Sequence, residues 1–286
     1  MSAPPLPAAE TAAGPVLDLL AERRFVALTG AGLSTDSGIP DYRGPQAPAR
    51  MPMTYSEFVS GPGAQQRYWA RSHLGWSRMK RAVPNHGHRA LAEIETTGRL
   101  RLLITQNVDG LHEAAGSRAM CALHGRIADV VCLGCRVRTS RAALHERLSA
   151  LNPGWGDRHA DVVVRPDGDV ELSETAGFAV PGCESCGGVL KPDVVFFGEN
   201  VPKPRVERCY AAVEALDPAS ELLLVLGSSL TVMSGFRFVR HATKRGVPVV
   251  IVNRGSTRAD DLPVRKLEHG TSELLTALAA RLLPLG

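Results

Sequence analysis

TGAGLSTDSGIPDYRG (Thr29–Gly44) follows directly on the short apolar run Phe25–Leu28. An apolar run that ends in a glycine-rich turn is how a buried strand delivers its chain to a nucleotide. Gly30 and Gly32 carry no Cβ, so the backbone there can approach a pyrophosphate, and the N-terminus of a following helix favours the negative charge. As a dehydrogenase fingerprint the stretch is defective. Thr35 stands where the third small residue belongs, and the region about twenty positions on reads Ala49–Arg50–Met51, with no acidic side chain to hold a ribose. Hydride transfer is disfavoured; a nucleotide-binding strand and turn remain.

Outward from this stretch, similar apolar runs recur at Leu100–Thr105, Val194–Phe197, Leu222–Leu226 and Val247–Val252. Short continuous runs bounded by turns fit strands buried on both faces of a parallel sheet. Helical stretches at Arg205–Leu216 and Phe236–Lys244 alternate with them. The expected fold class is α/β, a Rossmann-like doubly wound parallel sheet built from residues 16–44, 99–128 and 191–286. Two stretches interrupt it: a helical insertion over 45–98 and a smaller zinc-binding module over 129–190. Residues 1–15 are rich in Ala and Pro and read as a disordered tail.

Composition narrows the function. The 286 residues are 44% hydrophobic and 22% charged, ordinary values for a globular protein. A net charge of +4 is too small for a dedicated nucleic-acid binder. No apolar run reaches the roughly 18 residues that span a bilayer, and the start carries neither the basic residues nor the apolar core of an export signal. No nucleic acid, no membrane and a cytoplasmic setting are expected.

Four of the six cysteines form two C-x-x-C pairs, Cys132 with Cys135 and Cys183 with Cys186. Each pair aims two thiolates at one point, and two pairs complete the tetrahedral shell of a structural Zn²⁺. A separate redox pair is the competing reading. A closed four-thiolate shell leaves no open coordination position, so the metal should do no chemistry. Cys121 and Cys209 are left over as expected buried thiols.

In order along the chain stand TGAG(x)S…GIPDYR, TQNVDGLH (Thr105–His112), LHG (Leu123–Gly125), the cysteine pairs, KPDVVFFGE (Lys191–Glu199), GSSLTV (Gly227–Val232) and IVN (Ile251–Asn253). From about residue 20 to the end this closely resembles the sirtuins, NAD-dependent protein deacylases. GSSLTVMSGFRF and the long segment between the cysteine pairs resemble their class II branch. The resemblance implies that acylated-lysine proteins are the partners, and that NAD and Zn²⁺ are the cofactors. It also implies that nicotinamide leaves first, and that a base then draws a proton from a ribose hydroxyl as the acyl group passes to ADP-ribose.

His124 matches the family's base, and an imidazole suits that task near neutral pH. His112 is its competitor, which the family pattern makes structural. The resemblance places Gln106, Asn107 and Asp109 around the nicotinamide and its ribose, with Asn107 and Asp109 sharing in catalysis. Gly30, Ala31, Gly32, Gly227, Ser228 and Ser229 would receive the phosphates. Asp41, Tyr42 and Arg43 would fold over the cofactor. Asn253 would hold the adenosine ribose and Thr271 the adenine. Val194 and Phe196 would cover the acyl-lysine stem. Tyr68 and Arg71, one face of a helix at i and i+3, would together bind a carboxylate, so acidic or branched acyl groups are expected substrates. A mono-ADP-ribosyltransferase using the same NAD site, or a non-enzymatic zinc module, are the alternatives.

Overall fold

Helix α1 (Ala8–Glu22) carries Pro15 within it and leads into strand β1 (Arg24–Thr29). The computed structural model describes residues 8–41, 52–159, 170, 172 and 174–283. Residues 8–15, expected as tail, are thus the opening turns of a helix. Ala13, Val16, Leu17 and Leu20 are buried, and that stripe holds the helix to the sheet although its first turns are rich in alanine and no charge pattern announces them.

After β1 the chain makes two short 3-10 turns, Ala31–Leu33 and Thr35–Ser37. The α-helix expected directly behind the glycine turn is absent among the described residues, so no helix dipole faces that turn from there. Helices α2 (Tyr55–Phe58), α3 (Pro62–Met79) and α4 (His86–Thr96) follow. Then come β2 (Leu100–Thr105), α5 (Leu111–Ala114) and β3 (Met120–Ala122). A small antiparallel sheet of β4 (Gly125–Cys132), β5 (Arg138–Ser140) and β6 (Leu190–Val194) is built in the order β5-β4-β6, with α6 (Arg141–Leu151) packed on it. The chain returns through α7 (Lys203–Glu214), β7 (Glu221–Leu226), α8 (Met233–Lys244), β8 (Val249–Val252), β9 (Arg265–Leu267) and α9 (Thr271–Leu282).

The large sheet is parallel throughout, in the order β3-β2-β1-β7-β8-β9. Every residue of β7 is buried because alternate side chains enter two different cores. Leu222, Leu224 and Leu226 join Phe25 and Ala27 under α1, α4 and α9. Leu223 and Val225 join Val26 and Leu28 under α7 and α8. Each such aliphatic side chain taken from water contributes roughly 1.5–3 kcal/mol. Strand order reverses between β1 and β7, so their carboxyl ends flank a crevice where ligands of doubly wound sheets bind.

Three expected boundaries move. Val194–Phe197 is not a strand of the parallel sheet: β6 ends at Val194 and pairs antiparallel with β4, so residues 191–194 belong to the small lobe. That lobe begins at Gly125 rather than 129. Helix α4, expected within the insertion, buries Ala90, Leu91 and Ile94 in the core of the large sheet. Helices α2 and α3 share one core with the cysteine module, where Phe58, Tyr68, Trp69 and Trp76 meet Leu144, Leu148 and Leu190.

Candidate active site

The crevice between β1 and β7 opens into a cavity of about 890 Å³ that runs between the large sheet and the small lobe. Its floor is two touching loops. Gly30 N donates to Leu226 O and Gly32 N to Gly227 O, each at 2.9 Å. A methyl at Gly30 would lie 2.7 Å from both Gly227 O and Ser228 Cβ, so the glycine is required by the neighbouring loop. Leu230, a buried non-glycine at φ 56, closes that loop, with its N–H donating to Ser228 Oγ at 3.3 Å. A left-handed Leu costs roughly 1–2 kcal/mol and persists where surrounding contacts hold it.

The carboxyl end of β2 supplies the next wall. Asn107 Nδ2 donates to Gly30 O at 3.0 Å and to Ser34 Oγ at 3.1 Å. Ser34 Oγ donates in turn to Asp109 Oδ2 at 2.7 Å, and Leu111 N to Asp109 Oδ1 at 2.9 Å. Burial pushes the Asp109 carboxyl above the usual carboxylate range, opposed by these two hydrogen bonds. Ser34 is the knot that joins the glycine turn to Asn107 and Asp109. Sequence reasoning gave it no role, although it stands inside the motif TGAGLS. Gln106 Nε2 donates to Ser228 Oγ at 2.9 Å, tying this wall to the β7 loop.

His124 lies between β3 and β4. Its Nδ1 is 2.9 Å from Gln106 O and its Nε2 is 2.7 Å from Ser234 Oγ. A carbonyl only accepts, so Nδ1 carries the hydrogen and Nε2 keeps its lone pair. Burial, reinforced by Arg205 and Arg237 and opposed by the Gln106 carbonyl, pushes the ring's pKa down to about 4. At neutral pH His124 is therefore an unprotonated base on the cavity wall. His112 is buried away from the cavity, 3.0 Å from Thr29 Oγ1, and its pKa is pushed well below the ordinary value by burial and by His88.

Gly30, Ala31, Gly32, Asp41, Gln106, Asn107, Asp109, His124, Gly227, Ser228, Ser229 and Asn253 all line this one cavity, as do Tyr68, Val194 and Phe196. Two expected residues stand apart from it. Thr271 is buried in the first turn of α9, and Arg71 is buried one turn beyond Tyr68; neither is among the lining residues. Tyr42 and Arg43 lie outside the described residues. The Tyr68 ring sits 5.1 Å from that of Phe196 and 5.4 Å from that of Phe58, an aromatic wall at the small-lobe end. Lys191 Nζ braces that end, 2.9 Å from Glu199 Oε2 and 4.6 Å from the Phe196 ring centre.

In the small lobe the four thiols converge: all lie within 4.8 Å of one another, with Cys132 and Cys186 at 3.5 Å and Cys135 and Cys183 at 3.8 Å. A tetrahedral Zn²⁺ with bonds of about 2.3 Å places its sulfurs about 3.8 Å apart, so the donor set fits a structural zinc. Contacts across the two C-x-x-C pairs argue against an isolated redox pair. Cys121 and Cys209 are buried, as expected of leftover thiols.

Residues 30–234 match the Sir2 family. The chain belongs to the Sir2 family. It is 54% identical over 270 residues to a protein of Mycobacterium avium (strain 104) named NAD-dependent protein deacetylase 1, covering 93% of this chain and 94% of that one. An NAD-dependent protein deacetylase of Xanthomonas campestris pv. campestris (strain 8004) is 50% identical over 274 residues, covering 94% and 92%. Among solved structures, the Sir2 complex described as Sir2-p53 peptide-NAD+ superimposes with a TM-score of 0.72 at 31% identity, covering 93% of this chain and 97% of that chain. The six-stranded parallel sheet is thus a Sir2-family fold, and the four-cysteine cluster is compatible with zinc within it. No described helix is long and apolar enough to cross a membrane.

Proposed function

We propose that this chain is an NAD-dependent protein lysine deacylase that passes an acyl group to ADP-ribose and releases nicotinamide. The observation that carries the reading is the convergence of Asn107, Asp109 and His124 with both glycine loops on one cavity at the strand-order reversal. Bound NAD supplies a glycosidic bond whose nicotinamide leaves, opening the sugar to the acyl oxygen.

The chain's own residues bind, orient and move a proton. Gly30, Ala31, Gly32, Gly227, Ser228 and Ser229 suit the phosphates, since glycines without a Cβ let the backbone of both loops lie close to a pyrophosphate. Asn107 and Asp109, fixed through Ser34, present polar groups to the nicotinamide and its ribose, and Gln106 closes the wall beside them. Asn253, on the cavity lining, suits the adenosine ribose; Thr271, buried in the first turn of α9 and off the lining, is the weaker choice for an adenine contact. Asp41, which lines the cavity, would contact the cofactor. His124 takes a proton from a ribose hydroxyl at Nε2. Zn²⁺ held by Cys132, Cys135, Cys183 and Cys186 stabilises the small lobe.

The acylated lysine of a protein partner enters along Val194 and Phe196, with its acyl group toward Tyr68. Tyr68 on the wall supports a preference for acidic or branched acyl groups, and Arg71, one turn on and off the lining, is the charge that would complete it. The GSSLTVMSGFRF stretch supports the class II branch, and a cytoplasmic setting belongs to the same proposal. The relatives' names favour deacylation over transfer of ADP-ribose to protein. The test is His124→Tyr: turnover of acylpeptide to free lysine and O-acyl-ADP-ribose should vanish while zinc content and the unfolding transition persist. Unchanged turnover would remove His124 as the base.

A further inference from the structure

Nε2 of His124, the nitrogen left for chemistry, already has a partner to which no role has been given. Ser234 stands in the first turn of α8, nearly buried, and its Oγ lies 2.7 Å from that nitrogen. Since Nδ1 holds the ring's hydrogen against the Gln106 carbonyl, the Ser234 hydroxyl is the donor to Nε2. Both ring nitrogens are thus tied, and the imidazole cannot turn about its Cβ–Cγ bond without losing two hydrogen bonds. The approach of α8 is close by design of the next residue. A methyl at Gly235 would lie 2.4 Å from Gln106 Oε1, so glycine there lets the helix turn sit against the same Gln106 whose carbonyl holds Nδ1.

We propose that Ser234, which lines the cavity, hands the proton to His124: its Oγ takes the proton of a sugar hydroxyl as its own proton passes to Nε2. The inference rests on the assignment of His124 as the base. A hydroxyl suits both protonation states. To the neutral ring it donates; as the sugar O–H bond breaks, a new O–H bond forms on Ser234 Oγ, the old Ser234 O–H bond breaks and the Nε2–H bond forms, after which the same oxygen accepts from the imidazolium while Nδ1–H keeps the Gln106 carbonyl. Two protons shift in line, and the net change is one proton from the sugar to the ring. Alanine offers neither role, whereas threonine keeps both.

The experiment uses the full zinc-loaded chain with Ser234→Ala and Ser234→Thr. In the free protein, ¹⁵N NMR of the histidine rings should show the His124 Nε2 resonance moving toward that of an unbonded lone-pair nitrogen in Ser234→Ala, with Nδ1–H unchanged. Ser234→Thr should keep the wild-type position. In turnover, Ser234→Ala should lower the deacylation kcat about five-fold, the worth of one neutral hydrogen bond. The KM for acylpeptide and the acyl-dependent exchange of nicotinamide into NAD, which precedes the base's step, should be unaltered, and Ser234→Thr should restore the rate. An unmoved Nε2 resonance, or exchange and deacylation falling together, would overturn the inference. If His124→Ala still deacylates, the base assignment fails and this inference with it. If His124→Ala is inactive while Ser234→Ala runs at the wild-type rate, only the role of Ser234 is lost.

Discussion

Replacing Gly30 by alanine tests whether the two loops under the cavity must touch. Gly30 has φ −129, which alanine adopts freely, so the effect is steric. The new methyl would stand 2.7 Å from Gly227 O, 2.7 Å from Ser228 Cβ and 3.0 Å from Ser228 Cα. Comfortable contact for carbon begins near about 3.5 Å, so the β7 loop must retreat by about 0.8 Å. That retreat strains the Gly32 N–Gly227 O bond and the Gln106–Ser228 bond, both 2.9 Å. Overpacking of this kind costs about 1–3 kcal/mol. At roughly 2–4 °C per kcal/mol for a chain of this size, Tm should fall by several degrees. NAD affinity, measured by calorimetry, should weaken about ten-fold, since the cavity floor that receives the phosphates moves with the loop. Gly156→Ala, where a methyl meets nothing within 4 Å, is the silent control. Wild-type Tm and NAD affinity in Gly30→Ala would refute the packing argument.

Stability should fall with acid in a defined window. His73, His88, His124 and His145 are each pushed down to about 4, with burial the largest cause, so the native state binds fewer protons than the unfolded chain between about 4 and 6.5. Stability is then intact above pH 6.5 and is lost as pH drops toward 4, at up to ~1.4 kcal/mol per pH unit for each histidine. Urea midpoints that stay flat across that window would contradict it. Elemental analysis should find one zinc per chain, and Cys183→Ser should lose it and expose the small lobe to protease; a zinc-free wild type of unchanged protease resistance would refute the structural role. Across an acylpeptide series, acidic or branched acyl groups should exceed acetyl, and Arg71→Ala should erase the difference. Acetyl ranking first, with Arg71→Ala leaving the order unchanged, would remove the carboxylate reading.

How legible the chain was depended on whether a residue's role leaves a pattern. β2 was read at its observed limits because Leu100–Thr105 is apolar and buried on both sheet faces save for the exposed Arg101. β6 was misplaced because its own residues include Lys191 and Pro192, buried through an ion pair with Glu199 and a mixed register that no apolar run advertises. The start of α1 was missed because alanine and proline read as tail, and α4 was misassigned because an amphipathic helix does not say which core it faces. The cysteine cluster was read correctly because ligand spacing is itself geometric. Gly30 was singled out, yet the reason the structure gives includes the loop packed against it. Ser34 and Ser234 had no spacing to betray them; only the fold brings one to Asp109 and the other to His124.

The most direct measurement follows the sugar of ribose-labelled NAD offered together with an acyl-lysine peptide. The account predicts that label appears in O-acyl-ADP-ribose, matched mole for mole by freed nicotinamide and unmodified lysine. Label that stays in NAD, or that ends up bound to protein with the lysine still acylated, would contradict it.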